Sequence, residues 1–271
     1  MLENEVIMIG KHRLKKFFRQ CRSNLRALQY LAFVLAARLN IISLPFYCPV
    51  CQKKIYKWLP FRRNVGKLKR RLEPGGRLCP YCRSLERTRH FIIYLEKNNI
   101  LDSKLRFLHF APEEGLEPRL RSLLKNNYVT TDLYKAGVDR KEDITNMSFD
   151  DNSFDFIYCS NVLEHVKDDK SAMAELYRVL APGGTAIIQV PIGGNTTYED
   201  DFIIDCVERA QHFGQADHVR LYGRDIFYRL SDAGFSVEEL FMPDVLNISD
   251  EEITKMNLNK REIAHRCMKV N

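Results

Sequence analysis

The residues with the clearest chemistry are two pairs of cysteines in the first third of the chain. Cys48-Pro-Val-Cys51 and Cys79-Pro-Tyr-Cys82 each place two thiols three positions apart. Four thiolates form the tetrahedral set of soft donors that Zn²⁺ favours, and such a set leaves no open coordination position. A redox dithiol does not need a second copy, and the scattered remaining cysteines do not resemble a secreted disulfide framework. The spacing therefore predicts a structural zinc site within a ribbon over residues 45–84.

Polar residues follow two apolar runs in the second half of the chain, where the chain could present them at a sheet edge. Phe154–Cys159 is apolar except for Asp155, as expected for a strand buried on both faces of a parallel sheet, and Ser160 and Asn161 follow it. A helix with N-cap candidates Asp168 and Asp169 comes next, ended by Pro182-Gly-Gly before a second buried strand. This β-α-β unit predicts a doubly wound α/β fold, whose ligands bind at the carboxyl ends of the strands.

The same stretch carries a family resemblance. The segments FDFIYCSNVLEHV, ELYRVLAPGG and IIQVP resemble class I S-adenosylmethionine (SAM) dependent methyltransferases, in particular the type 11 branch, over roughly Leu105 to the end of the chain. The turn Leu-His-Phe-Ala-Pro-Glu at Leu108–Glu113, and Cys-x-Ser-Leu-Glu-Arg-x-Arg from Cys82, are similar to a subset with an N-terminal zinc ribbon. The resemblance implies a Rossmann-like sheet of seven strands and methyl transfer from SAM.

The resemblance also implies a cofactor site at the strand ends. The turn after the first strand would hold the methionine part of SAM, Asp132 the ribose hydroxyls and Asp143 the adenine amine, with Ile144 against the ring. No Gly-x-Gly-x-x-Gly cradle for a pyrophosphate is present, which argues against NAD. The implied cofactor residues are Phe110, Ala111, Pro112, Glu113, Asp132, Leu133, Asp143, Ile144, Ser160, Asn161 and His165.

An insertion over residues 193–222 follows the strand that ends near Val190. It is polar and aromatic, without helical or strand periodicity throughout, and its place after a strand's carboxyl end predicts that it covers the methyl group and selects the acceptor. His218 is the candidate general base, with a hydrogen-bonded loop histidine as the alternative. The candidate acceptor-binding residues around it are Tyr198, Glu199, Asp217 and Arg220.

Charge is divided unevenly along the chain. Residues 1–71 hold 17 Lys and Arg against 2 acids, and the remainder holds 25 (42 − 17) against 33 (35 − 2), within a net charge of +7. Residues 1–44 combine basic and apolar residues at helical spacing, which predicts an amphipathic arm. The arm would pack on the chain's own domain or lie on an anionic membrane surface. A linker helix over 85–100 would join the ribbon to the methyltransferase domain at 101–271.

Three functions remain open on the sequence. The first is methyl transfer to a hydroxyl of a glycan or small molecule, by a cytoplasmic enzyme that could be peripheral to the inner face of the membrane. The second is an RNA methyltransferase that uses the basic arm and the zinc ribbon for RNA binding. The third is a non-catalytic adaptor that keeps the fold as a binding module.

Overall fold

A computed structural model describes residues 45–62, 72–102 and 104–270. The predicted arm over 1–44 lies outside the described residues. The strands are β1 (Phe46–Cys48), β2 (Lys53–Ile55), β3 (Leu59–Arg62), β4 (Leu72–Leu78), β5 (Phe107–Phe110), β6 (Tyr128–Thr131), β7 (Phe154–Ser160), β8 (Leu180–Gln189), β9 (Ile192–Gly194), β10 (Tyr198–Glu199), β11 (Arg220–Gly223), β12 (Ser236–Phe241) and β13 (Ile263–Met268). The helices are α1 (Glu86–Lys97), α2 (Glu117–Leu124), α3 (Asp169–Val179), α4 (Cys206–His212), α5 (Ile226–Asp232), α6 (Met242–Val245) and α7 (Asp250–Met256).

The main sheet is mixed and has the strand order β12-β13-β8-β7-β5-β6. The strands β6, β5, β7 and β8 are parallel to their neighbours, whereas β13 is antiparallel to both β8 and β12. The predicted α/β class is therefore confirmed, and the last strand of the sheet, β13, is reversed. Asp168 caps α3 by accepting from the backbone N–H of Ser171 at 3.0 Å, as its sequence position predicted.

The prediction of seven strands is wrong for the described residues, because the main sheet has six. The segment that would supply the outermost strand beyond β6 makes only an isolated bridge between Thr131 and Arg140. Its polar groups are engaged in local turns instead, since Asp143 accepts from both the N–H and the hydroxyl of Thr145. Side-chain to backbone bonds of this kind compete with a strand ladder.

The sheet is buried on both faces, as the apolar strands predicted. One core layer contains Phe107 and Tyr158 together with α1, and the other contains Leu108 and Ile157 together with α3. Phe91 of α1 stacks on Tyr158 with ring centroids 3.5 Å apart. Aromatic and aliphatic residues alternate between the two layers, so the backbone register of each strand is fixed by burial on both sides.

Residues 46–271 form one compact unit, in which the cysteine region shares a core layer with the main sheet. Two antiparallel hairpins, β1–β2 and β3–β4, precede α1. Arg89 of α1 is fully buried over the ring of Trp58 and donates to the carbonyl oxygens of Arg77, Ser84 and Asn257. This arginine, part of the Cys-x-Ser-Leu-Glu-Arg-x-Arg segment, thereby ties the hairpins to the rest of the unit.

The insertion is more regular than the sequence predicted. It contains α4 and, with β9, a small three-stranded sheet of order β10-β11-β9. Two-residue and four-residue strands are too short to produce a readable period-two pattern, which explains the wrong prediction. Among the described residues, no helix has the length and apolar character needed to cross a membrane.

Candidate functional site: the carboxyl edge of the sheet

The carboxyl ends of four parallel strands are aligned by register. Phe110 pairs with both Thr131 and Cys159, and Ser160 pairs with Gln189. The residues that immediately follow these strands therefore lie along one edge of the sheet. The strand ends of a doubly wound sheet form the usual ligand crevice, and most of the cofactor residues predicted from the sequence follow these ends.

Two residues at this edge have left-handed backbone conformations. Ala111 has φ 47° and Asn161 has φ 55°. Alanine is rarely found there, so the conformation costs free energy that the surrounding structure must compensate. The Ala111 N–H donates to the carbonyl oxygen of Thr131 at 2.9 Å, and the Asn161 N–H donates to that of Gln189 at 2.9 Å. These bonds hold the two turns against the neighbouring strands.

Asp132 follows β6 and closes a tight turn. Its Oδ1 accepts from the backbone N–H groups of Tyr134 and Lys135 at 2.7 and 2.6 Å. Both bonds use the same oxygen, so the arrangement leaves Oδ2 to face a ligand. The ammonium of Lys135 donates to the carbonyl oxygen of Pro112, so this lysine connects the turns after β5 and β6. The neighbouring Leu133 is 44% exposed at the same edge.

Glu113 is oriented by the core as well as by the edge. His109 lies fully buried, with Nε2 2.9 Å from Glu113 Oε2 and Nδ1 2.6 Å from the Tyr128 hydroxyl. Burial raises the pKa of Glu113, but the hydrogen bond from His109 and the nearby charge of Arg87 outweigh it and hold the pKa below its usual value. Glu113 is therefore an oriented carboxylate, and the first-strand turn is fixed from beneath by His109.

Two other predicted cofactor residues are placed by local bonds. Ser160 is buried and its hydroxyl donates to Asn161 Oδ1 at 3.2 Å. Ile144 is 6% exposed and belongs to the core layer beneath the edge. Only a small part of the Ile144 side chain is therefore left for contact with a ligand.

His218 is 2% exposed and lies beside the segment that follows β7. Its Nδ1 is 3.0 Å from the carbonyl oxygen of Phe213, and its ring meets that of His165 edge-on with centroids 4.7 Å apart. Glu164 stands next to both histidines and accepts from the Asn161 amide at 2.9 Å. His218 is thus buried, yet it is joined to Asn161 through a chain of close neighbours.

Sequence reasoning missed Glu164, although it lies inside the Asn-Val-Leu-Glu-His segment. Its burial raises its pKa above the usual range, and the hydrogen bond from Asn161 acts in the opposite direction. The available signal was a carboxylate four residues after the end of a buried strand, between Leu163 and a histidine.

Two predicted acceptor residues, the buried Arg220 and the 42% exposed Glu199, are paired with each other. Arg220 is 4% exposed, donates to Glu199 at 2.8 Å and lies 3.6 Å from Asp169. Arg229 completes the group at 2.8 Å from Glu199 and 3.0 Å from Asp169. Arg220 also donates to backbone carbonyl oxygens between Leu163 and Lys167. This four-residue network fastens the insertion to the segment that carries Glu164 and His165.

The other two predicted acceptor residues are exposed. Tyr198 is 42% exposed and its hydroxyl lies 3.2 Å from Nδ1 of His212. The Asp217 side chain is 71% exposed, with one carboxylate oxygen 3.5 Å from Nδ1 of His165. Both are accessible to a ligand.

A cavity of about 640 Å³ opens at the same edge, beyond β8. Its walls come from the chain after β8, the end of β12 and the start of β13. Two arginines, Arg224 and Arg261, and the carboxylate of Glu262 contribute charge to it. The full lining is Val190, Pro191, Ile192, Gly193, Gly194, Asn195, Arg224, Phe241, Asn259, Arg261, Glu262 and Ile263.

The four ribbon cysteines converge as their spacing predicted. Their Sγ atoms lie within 4.8 Å of one another, with Cys48 to Cys82 at 3.6 Å and Cys51 to Cys79 at 3.8 Å. Four thiolates about 2.3 Å from a tetrahedral ion are about 3.8 Å apart, whereas a disulfide requires about 2.05 Å. The Ser84 hydroxyl lies 3.3 Å from Cys48 Sγ and 3.2 Å from Cys82 Sγ. The donor set fits Zn²⁺.

Comparison with known proteins finds a match for part of the chain. Residues 116–188 match the family model described as "Methyltransferase domain". The matched segment includes β6, β7 and most of β8.

Two curated relatives match segments of 80 and 45 residues. A sterol 24-C-methyltransferase of Neurospora crassa is 34% identical over 80 residues, covering 30% of this chain and 17% of that protein. A demethylmenaquinone methyltransferase of Staphylococcus epidermidis is 47% identical over 45 residues, covering 17% of this chain and 19% of that protein. The chain thus spans less than a fifth of the length of each of these relatives.

Similar solved structures include phosphoethanolamine N-methyltransferase 2 of Haemonchus contortus, at 16% identity, 68% coverage of this chain and 53% of that chain, with a TM-score of 0.46. The YcgJ protein of Bacillus subtilis shows 16% identity, 67% and 100% coverage, and a TM-score of 0.45. Because both scores are below 0.5, the description of the fold rests on the strand order given above.

Proposed function

We propose that this protein is a SAM-dependent methyltransferase acting on the hydroxyl of a small molecule or glycan. The observation that carries the proposal is the convergence of three groups at the carboxyl edge: the left-handed turn at Ala111, the Asp132 turn and Asn161. The match of residues 116–188 to the methyltransferase domain covers two of these three strand ends.

The proposed cofactor site assigns one role to each turn. The backbone from Phe110 to Glu113 would contact the methionine part of SAM, and Ser160, Asn161 and His165 would border the sulfonium. Asp132 would accept from the ribose hydroxyls through Oδ2, with Leu133 beside the nucleoside. Asp143 would accept from the adenine amine, with the exposed part of Ile144 against the ring. SAM supplies a methyl group on a positively charged sulfur, which is why carboxylates at this edge favour its binding.

In the proposed reaction the acceptor oxygen attacks the methyl carbon. The oxygen–carbon bond forms while the sulfur–carbon bond breaks with its electron pair remaining on sulfur, and the hydroxyl proton must leave. Positioning donor and acceptor in line supplies most of the catalysis in such a reaction. His218 is the proposed catalytic group, because its Nδ1–H is directed to the Phe213 carbonyl and its Nε2 therefore carries the lone pair.

The acceptor is proposed to enter over the cavity beyond β8. Arg224 and Arg261 favour an acceptor with negative charge or several hydroxyls, and the exposed Tyr198 and Asp217 lie on the insertion that borders the edge. Glu199 and Arg220 would act indirectly, because their charged groups bind each other and anchor the insertion. The basic arm, as a contact for an anionic membrane, belongs to the same proposal.

Calorimetric titration with SAM tests the proposal. Asp132→Ala is expected to weaken SAM binding at least tenfold, since a hydrogen bond to a charged group contributes about 1.5–3 kcal/mol. Asp102→Ala is the matched control, because Asp102 makes the same kind of bond to the N–H two residues on, at 3.0 Å, but precedes β5. Absence of SAM binding by the folded wild-type protein would leave the adaptor function in its place.

Salt-dependent retention on RNA distinguishes the second alternative. Phosphate contacts by the basic residues 1–71 would make retention fall steeply as salt rises, as for proteins that release counterions. The small-molecule proposal expects retention to be weak and unaffected by SAM.

We also propose one structural Zn²⁺ on Cys48, Cys51, Cys79 and Cys82. Elemental analysis of protein purified without chelator should find a zinc ion that is lost from Cys79→Ser and kept by Cys206→Ser, an exposed cysteine of α4. An intact ribbon whose four thiols titrate freely without metal would contradict this site.

A further inference from the structure

A second group of potential metal ligands lies at the carboxyl edge, apart from the cysteines. One ring nitrogen each of His165 and His218 and a carboxylate oxygen of Glu164 lie within 4.8 Å of one another. Glu164 and His165 belong to the short 3-10 helix Leu163–His165 after β7, and His218 comes from the insertion just before β11. Ligands at about 2.0–2.2 Å from one ion stand somewhat over 3 Å apart, so a contraction of about an ångström would complete the set.

Both histidines are oriented as metal-binding histidines usually are. Nδ1 of His218 is 3.0 Å from the Phe213 carbonyl oxygen, and Nδ1 of His165 is 3.3 Å from the Asp217 carbonyl oxygen and 3.5 Å from its carboxylate. A ring that donates its Nδ1–H to a carbonyl or carboxylate carries its lone pair on Nε2. Metal-ligating histidines almost always make such an outer bond, which fixes the ring and raises its basicity.

Glu164 is the second independent indication of a ligand. The residue is 1% exposed, and Oε1 accepts from the Asn161 amide at 2.9 Å. Within the described part of the chain, Oε2 is buried without a hydrogen-bond partner. Buried carboxylates are normally paired or bound to a metal ion, because an isolated one is costly. The nearby Arg220 does not supply this pairing, since it binds Glu199, Asp169 and three backbone carbonyls.

We propose that Glu164, His165 and His218 bind a divalent first-row transition ion. Two imidazoles and one carboxylate form the donor set of catalytic zinc sites and of non-haem iron sites, whereas Mg²⁺ and Ca²⁺ favour oxygen ligands alone. Three protein ligands leave at least one coordination position open. His165, whose side chain is 33% exposed, lies on the solvent side of the group, so that position can face the edge of the sheet.

The role of the ion rests on the proposed function and refines it. An acceptor hydroxyl in the open position would lose its proton more readily, because a bound cation lowers the pKa of an oxygen ligand. The proton would pass to solvent before the oxygen attacks the methyl carbon. His218 would then assist deprotonation of the acceptor by binding the ion, and it would not remove the proton itself.

Zinc stoichiometry with site variants tests the binding. After equilibration with Zn²⁺ and removal of loosely bound metal, wild type should hold two equivalents. Glu164→Gln, which keeps an oxygen to accept from Asn161, and His165→Asn, which alters a partly exposed side chain, should each hold one. His212→Asn removes an exposed histidine of the same insertion and should keep two.

Co²⁺ loading identifies which site is occupied. The four-cysteine site should give strong thiolate-to-metal absorption, and the Glu164 site only weak d–d bands that disappear in Glu164→Gln and His165→Asn. A wild-type protein with thiolate absorption and one equivalent in all would overturn the proposal. So would a second equivalent that both variants retain.

Titration of the same variants with SAM separates this inference from the proposed function. SAM binding by a protein without the second ion would leave the methyltransferase proposal intact and remove only the metal site. A protein that holds the second ion but does not bind SAM would support the metal site and contradict the methyltransferase proposal.

Discussion

The two halves of the carboxyl edge are built by different means. On the side of β5 and β6, the candidate groups are held by short-range bonds, such as Asp132 to the N–H groups two and three residues on. On the side of the insertion, Arg220 and Glu199 belong to a partly buried ion-pair network whose members are far apart in sequence, from Asp169 to Arg229. The first half has polar atoms that are accessible to a ligand. In the second half the charged side chains pair with one another.

The difference teaches that a charged residue beside a cleft has to be judged by its partners. Oδ1 of Asp132 accepts two local hydrogen bonds, and Oδ2 is left for a ligand. Replacement of Asp132 should therefore lower the affinity for the ligand. Arg220 is 4% exposed and donates to three backbone carbonyls, so its removal should affect stability. Variants in the two halves should therefore separate binding from folding.

The largest effect is expected at His218. His218→Ala should lower turnover about 10²–10⁴-fold, the range for loss of a group that promotes proton removal. SAM affinity should change little, because His218 contacts Glu164 and His165 after β7 and not the turns after β5 and β6. Single-turnover rates and calorimetry on the same preparation measure both quantities. A similar loss of SAM affinity in His218→Ala would show that the insertion side of the edge also contributes to SAM binding.

Arg220→Met should destabilise the fold by about 1–3 kcal/mol, because it leaves three backbone carbonyl oxygens without their arginine donor, while Arg229 still pairs with Asp169 and Glu199. Urea unfolding measures this free energy. Lys260→Met is the control, since its pair with Asp250 is exposed on both sides and contributes about 0–1 kcal/mol. If Arg220→Met unfolds like wild type and loses only acceptor affinity, then Arg220 binds the acceptor after all.

Asp143→Ala should weaken SAM binding less than Asp132→Ala, about threefold to tenfold, because Asp143 would accept one hydrogen bond where Asp132 accepts from two ribose hydroxyls, and the adenine keeps its contact with Ile144. Its bonds to Thr145 are local, so the free energy of unfolding should change little. An equal or larger loss than in Asp132→Ala would reverse the proposed assignment of ribose and adenine.

The smallest effect concerns pH. Burial raises the pKa of Glu199, but the hydrogen bonds from Arg229 and Arg220 outweigh it and hold the pKa below its usual value. A depressed pKa in the folded state adds stability above the unfolded pKa, about 4.3, and that stability disappears as pH falls through the folded pKa. Glu199→Gln should therefore be less stable than wild type at pH 7, and the difference should shrink below about pH 4.3. A pH-independent difference would exclude the ion pair as its cause.

Much of the fold could be predicted because its signals are local. Apolar runs at Phe154–Cys159 and after Pro182, with an N-cap at Asp168, determine strands and a helix by burial and capping alone. The spacing of the two Cys-x-x-Cys pairs likewise predicts that their four thiols can bind one metal ion. The seventh strand was predicted wrongly because family architecture, and not the turn-forming residues around Asp143, suggested it.

The amino-acid sequence by itself determined the α/β class, the four converging cysteines and the position of Asp132 and Asn161 after their strands. Only the tertiary structure decided that Arg220 and Glu199 bind each other and that Glu164 and His165 meet His218. The physical reason is distance along the chain. Capping, turns and strand burial depend on neighbours within a few residues, whereas the pairing of a buried charge depends on which segments the fold brings together.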